Sequence, residues 1–187
     1  MSLFEFLMVF VSIIVGLGVA EILTGVARQI RWRKSIVGYW VHSCGVALIF
    51  LALLQNWWEL WELRNMPEWI FSGLVLMLIA PASLYLIAHL IFPEPIENSD
   101  FKDHYFGAMR SIWWLAILTV VASTLFRPLA FGSDLLTMDN AVSGFMLIGF
   151  LALATSRSSA LHAVLVPFFL LLLLWDVIRW HPAISPG

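Results

Sequence analysis

Residues 3–24 read LFEFLMVFVSIIVGLGVAEILT, and this stretch decides the fold class. Its only ionisable side chains are those of Glu5 and Glu21. A helix of about 20 mostly apolar residues is long enough to cross the hydrocarbon core of a bilayer. The stretch therefore predicts a transmembrane helix that begins almost at the N-terminus.

The rest of the chain has the same character. Of its 187 residues, 61% are hydrophobic and 12% are charged, and the mean hydropathy is +0.93. Soluble domains carry about 25% charged residues, so this composition excludes a soluble globular fold. Six spans are predicted, at 3–24, 37–60, 69–92, 108–126, 135–156 and 159–179. We therefore expect an all-α integral membrane protein, a bundle of about six transmembrane helices with short connectors, and a single transmembrane domain over 1–187.

The fifth of these spans, 135–156, is the weakest. Asp139 and Asn140 interrupt its start, so the sequence leaves open whether it crosses the membrane fully.

Basic residues indicate the orientation of the chain, because loops rich in Lys and Arg stay in the cytoplasm. One side would hold seven of them: Arg28, Arg31, Arg33, Lys34, Lys102, Arg110 and Arg157. The other would hold three: Arg64, Arg127 and Arg179. Both termini are thus predicted to lie outside.

Several functions are excluded or disfavoured by residues that the chain lacks. Its net charge of −2 gives no basic surface for nucleic acid. Cys44 is the only cysteine, which rules out an intrachain disulfide, a zinc site built on cysteines and an iron–sulfur cluster. No Walker A, GxGxxG, HExxH or GxSxG motif occurs. The sequence favours a non-enzymatic function, leaves an enzymatic one open and requires no cofactor.

Ionisable residues inside the predicted spans mark two candidate sites, because a charge in hydrocarbon costs about 2.5–3.5 kcal/mol on insertion scales. The inner candidate cluster consists of Glu21, His42, His89 and His162, all within a turn or two of the predicted cytoplasmic boundary. Together they could form a proton relay, a metal site or an axial ligand set for haem. Alternatively, each histidine bonds a neighbouring backbone carbonyl by itself.

The outer candidate group lies at the opposite depth and consists of Glu5, Gln55, Asn56, Glu59 and Asp176. At 100° per residue, Gln55, Asn56 and Glu59 share one face of the second helix, while Trp57 and Trp58 point elsewhere. The group predicts an acidic vestibule at the outer end of the bundle. The alternative is interhelical hydrogen bonding that fixes the packing of the helices.

Three segments also carry a resemblance. The run VSIIVGLGVAEIL at 11–23, the YWVH at 39–42 and the WWELW at 57–61 are similar to a group of small uncharacterised bacterial multi-spanning inner-membrane proteins. The resemblance covers roughly the first half of the chain. It implies a bacterial inner membrane and carries no activity with it.

Three hypotheses of function remain. The leading one is a membrane protein that binds or conducts a small solute or ion through an interhelical polar path. The second is a structural or accessory subunit, in which lipid, further copies of the chain or other membrane subunits are the partners. The third is a haem- or quinone-binding protein that uses His42, His89 or His162.

Overall fold

The computed structural model describes residues 3–65, 71–132 and 138–179. These residues form six α-helices: α1 Leu3–Arg31, α2 Trp40–Glu59, α3 Phe71–Leu90, α4 Phe101–Phe131, α5 Met138–Thr155 and α6 Ser159–Arg179. A 3-10 helix, Leu60–Asn65, continues α2. The predicted all-α bundle is therefore confirmed.

Five of these helices, all except α5, are long and apolar enough to cross a membrane. The apolar part of α5 is the shorter stretch Ala141–Thr155. The chain is thus a multi-pass membrane protein by the length and composition of its helices. A full crossing by α5 stays a prediction.

Two helices run further than the apolar stretches that predicted them. The α1 helix continues from 24 to Arg31, and α4 begins at Phe101, well before 108. Charged residues end an apolar stretch, but they do not end a helix, because the backbone hydrogen bonds continue into water. The start of α4 is set by Asp100, whose carboxylate accepts hydrogen bonds from the backbone N–H groups of Lys102 and Asp103.

The helix directions follow from pairs of residues in contact. Tyr39 lies against Ser159 and Gln55 against Asp176, so α2 and α6 are parallel neighbours. The α3 helix packs on α1, α2 and α4, while α5 packs on α4. The bundle therefore has two ends. We name them the carboxylate end, which holds Glu59 and Asp176, and the histidine end, which holds His42, His89 and His162.

Between the two ends the buried side chains of α2 and α3 are mostly apolar. Leu53 and Ile87 are fully buried, Ile49 and Leu84 are nearly so, and Ser83 is a buried polar side chain among them. In this structure a largely apolar layer, which includes these four branched side chains, thus separates the carboxylate end from the histidine end.

Glycines allow α1 to approach its neighbours closely. A methyl group at Gly18 would meet the side chain of Leu53, and one at Gly25 would overlap the ring of Phe92. Gly16 lies on another face of α1, where nothing is within 4 Å. Small residues at a helix interface bring backbones together in this way. The face of Gly25 therefore serves the fold of the chain, whereas the face of Gly16 is left open to lipid or to a partner.

We predict opposite effects of two alanine substitutions in α1. Gly25→Ala should lower the free energy of unfolding by about 1–3 kcal/mol, since the added methyl group forces Phe92 to move. Gly16→Ala should be neutral or stabilising, because alanine is the better helix former and the site is open. Thermal unfolding of both variants in detergent measures the difference. Equal melting temperatures would contradict the packing of α1 against Phe92.

We also predict that reporter fusions at the C-terminus show activity outside the cytoplasm. Fusions in the connector after α1 should show cytoplasmic activity, because that connector holds the largest cluster of basic residues. Alkaline phosphatase, which is active only outside the cytoplasm, is a suitable reporter. A cytoplasmic C-terminus would show that one helix does not cross, with α5 the first to examine.

Candidate functional site

At the histidine end, Glu21 and His89 form a pair across α1 and α3. The Glu21 Oε1 atom lies 3.5 Å from Nδ1 of His89, which makes an ion pair when the imidazole is protonated. The side chains keep 31% and 54% of their surface exposed. Both helices run in the same direction here and place the two residues at the same depth. The pair therefore lies in the surface groove between α1 and α3, outside the core.

His42 is fully buried at the start of α2. Its Nε2 donates to the backbone carbonyl of Ile91, at 2.8 Å, because a carbonyl oxygen only accepts. Phe92 and Phe101 pack edge-on against the imidazole, with ring centroids at 5.6 and 4.7 Å. Nδ1 is buried and makes no hydrogen bond with any residue that the structure describes. His42 thus ties the α3–α4 connector to α2.

His162 is also fully buried, and both of its ring nitrogens are used. Nε2 donates to the carbonyl of Ser156 at 2.8 Å. Nδ1 then accepts from the hydroxyl of Tyr105 at 2.7 Å. The hydroxyl of Tyr39 lies 3.5 Å from Oγ of Ser159, one helical turn before His162. This network holds α4, α6 and the α5–α6 connector together.

The inner candidate cluster is thus distributed over three local arrangements. Glu21 contacts His89, while His42 and His162 bond to separate carbonyls and are flanked by aromatic rings. A joint action of the four residues stays a prediction. His42 and His162 fit haem ligation poorly, since His162 would have to give up one of its two hydrogen bonds and His42 offers only a buried Nδ1, whereas His89 is half-exposed and its Nδ1 contacts Glu21.

The described ranges 3–65, 71–132 and 138–179 bring together no group of three or more His, Cys, Asp or Glu side chains that could hold a metal ion. A cation held by fewer protein side chains completes its coordination with backbone carbonyls or water.

The carboxylate end joins three residues of the outer candidate group. One nitrogen, Nε2 of Gln55, donates to Oε1 of Glu59 at 3.0 Å and to Oδ2 of Asp176 at 2.8 Å. The amide therefore bridges two carboxylates on different helices, α2 and α6. Its own Oε1 is buried and has no hydrogen-bond partner in the described part of the chain.

Glu59 also lines a cavity between α2, the 3-10 helix, α3 and α4. The other polar side chains that line this cavity are those of Asn56 and Ser123, and the apolar side chains include those of Met77 and Phe126. About 60 Å³ of it is accessible to the centres of water-sized molecules. One water needs about 10–15 Å³ by that measure, so the cavity holds a few waters or a small solute.

Oxygen acceptors dominate the polar lining of this cavity. Oδ1 of Asn56 is buried and has no partner among the described residues, and Glu59 contributes a carboxylate. Pro81 within α3 has no N–H, which deprives the carbonyl of Met77 of its α-helical donor. The cavity is therefore suited to a species that donates hydrogen bonds or carries positive charge.

Glu5 is the remaining member of the outer group, and Trp57 is a neighbour of the group on α2. Glu5 is exposed on the first turns of α1 and is not among the residues that line the cavity. Trp57 is partly exposed, and its indole N–H donates to Oγ of Ser12 at 2.9 Å. Trp57 thus points away from Gln55 and Glu59 and fastens α2 to α1.

Tyr105 and Ser123 complete the two groups and were not among the candidate residues. Neither belongs to a motif, and a single hydroxyl on an apolar helix carries no pattern of its own. Tyr105 becomes recognisable only when α4 brings it to His162.

No protein-family model, curated protein or solved structure matches this chain.

We predict that Tyr105→Phe lowers the free energy of unfolding by about 1–3 kcal/mol, the cost of leaving the buried Nδ1 of His162 without a donor. Tyr39→Phe is the matched control. It removes a longer and more exposed contact to Ser159 and should cost less than half as much. Thermal and denaturant unfolding in detergent measure both. Equal losses would contradict the prediction, because the Tyr105 hydroxyl at His162 would then contribute no more than the more exposed Tyr39 hydroxyl.

Proposed function

We propose that this multi-pass membrane protein binds a small cation or cationic solute in the cavity at its carboxylate end. The observation that carries the proposal is the lining of that cavity. Glu59 supplies negative charge, and Asn56 supplies a buried amide oxygen without a partner in the described chain. Carboxylate and carbonyl oxygens are the preferred ligands of hard cations, and they also accept hydrogen bonds from an ammonium group.

The bridge through Gln55 supports this assignment. Its amide Nε2 donates hydrogen bonds to the carboxylates of both Glu59 and Asp176, which brings two negative charges close together. Such charges repel each other, and a cation nearby relieves the repulsion. The bridge also fixes the orientation of Glu59 at the edge of the cavity. In this proposal Gln55 and Asp176 position Glu59, which contacts the bound species.

We propose binding and not conduction, because a largely apolar layer separates the carboxylate end from the histidine end. Leu53 and Ile87 are fully buried between the two ends, and the one buried polar side chain that α2 and α3 add between His42 and Gln55 is the neutral hydroxyl of Ser83. An ion in such a layer would lose its hydration without any compensating ligand. Conduction would require these helices to separate, for which the structure offers no second arrangement.

The test is ligand-dependent thermal stability of the detergent-solubilised full chain. Sodium, potassium, magnesium, calcium and ammonium chlorides are compared one at a time at equal ionic strength. At 100 times its dissociation constant, a bound cation should raise the melting temperature by roughly 5–10 °C. Glu59→Gln should abolish this increase, because the amide removes the negative charge and keeps the shape.

Glu97→Gln is the matched control. Glu97 is an exposed carboxylate in the α3–α4 connector at the opposite end, so its substitution should leave the increase unchanged. Asp176→Asn should weaken the response by less than Glu59→Gln does. The proposal fails if none of the five cations separates the wild type from Glu59→Gln.

A further inference from the structure

A cationic turn follows α1 at the histidine end. It comprises Arg31, Arg33 and Lys34, whose side chains are exposed and form no hydrogen bond or ion pair with any described residue. Arg28 differs from these three, because it donates to Oε1 of Glu94 at 2.9 Å. This hydrogen bond and the charge of Arg28 lower the pKa of the Glu94 carboxyl. Glu94 thus pairs with Arg28, whereas the other three cations have no ion-pair partner among the described residues.

The backbone of this turn is fixed. Ser35 donates twice to the carbonyl of Trp32, through its N–H at 2.9 Å and its hydroxyl at 3.1 Å. Val37 then pairs with the α3–α4 connector: its N–H donates to Ser99, and its carbonyl accepts from Phe101. The cations therefore project from a braced turn, so little backbone ordering remains to oppose binding of a ligand.

Exposed apolar side chains flank the cationic turn. Ile30, Val37 and Trp40 keep 61%, 61% and 56% of their surface exposed. Ile30 lies in the last turn of α1, Val37 in the α1–α2 connector and Trp40 at the start of α2. Exposure of these apolar side chains to water would be unfavourable. The boundary between headgroups and acyl chains accommodates it, because indole and aliphatic groups lie there beside charged residues.

We propose that the cationic turn binds the phosphate headgroup of an anionic phospholipid in the adjacent leaflet. Arg31 and Arg33 each offer a planar guanidinium that can bind phosphate oxygens in a bidentate manner, and Lys34 adds a third charge. Ile30, Val37 and Trp40 contact the upper part of the acyl chains. The partner is identified by its chemistry: a negative headgroup that remains attached to an apolar tail.

The experiment compares two lipids with the full chain in mixed micelles. Phosphatidylglycerol and phosphatidylcholine with identical acyl chains are titrated, and native mass spectrometry counts the bound lipids while thermal unfolding reports stabilisation. The wild type should prefer phosphatidylglycerol. The variant Arg31→Gln/Arg33→Gln/Lys34→Gln should lose this preference by tenfold or more, since each basic residue near a membrane surface contributes about fivefold.

The matched control is Lys102→Gln/Arg110→Gln/Arg157→Gln. It removes the same charge from three exposed residues that lie outside the turn, and should reduce the preference by a clearly smaller factor than the turn variant does. An equal loss in both triple variants would overturn the proposal in favour of diffuse charge. A triple variant of the turn that keeps the preference would also overturn it. So would inorganic phosphate alone, if it stabilises the protein as well as the lipid does.

Discussion

The constraint that governs this structure is the absence of water in the hydrocarbon core. Every polar group placed there needs a partner within the protein. His162 meets this constraint with a hydroxyl on one ring nitrogen and a carbonyl on the other. His42 meets it with the carbonyl of Ile91. These bonds also determine how the connectors at the histidine end dock onto the helices, because the accepting carbonyls belong to those connectors.

The two ends of the bundle satisfy that constraint differently. At the histidine end, local hydrogen bonds and aromatic packing hold the buried imidazoles, and the one buried ring nitrogen without a described partner, Nδ1 of His42, lies among the rings of Phe92 and Phe101. At the carboxylate end, Gln55 donates to two carboxylates, while buried oxygens of Gln55 and Asn56 have no partner in the described chain. The carboxylates and the cavity that Glu59 and Asn56 line are the physical basis for locating the proposed binding function at this end.

Close packing explains why the middle of the bundle separates these ends. Gly18 admits the side chain of Leu53, and Gly25 admits the ring of Phe92, so α1 lies tightly against α2 and α3. The buried side chains there, Leu53 and Ile87 among them, are mostly apolar. The outer cavity therefore ends within the bundle, beside the kink-prone segment of α3 that contains Pro81.

The sequence by itself determined the class of this protein, because hydropathy over 20 residues reflects the thickness of a bilayer and needs no knowledge of neighbours. It also placed Gln55, Glu59 and Asp176 at one depth and His42, His89 and His162 at another, since depth follows from helical rise alone. The tertiary structure decided which residues of equal depth meet. Gln55 bonds to Asp176 and Glu21 contacts His89, whereas His162 bonds to Tyr105. These lateral contacts depend on how the six helices pack around one another.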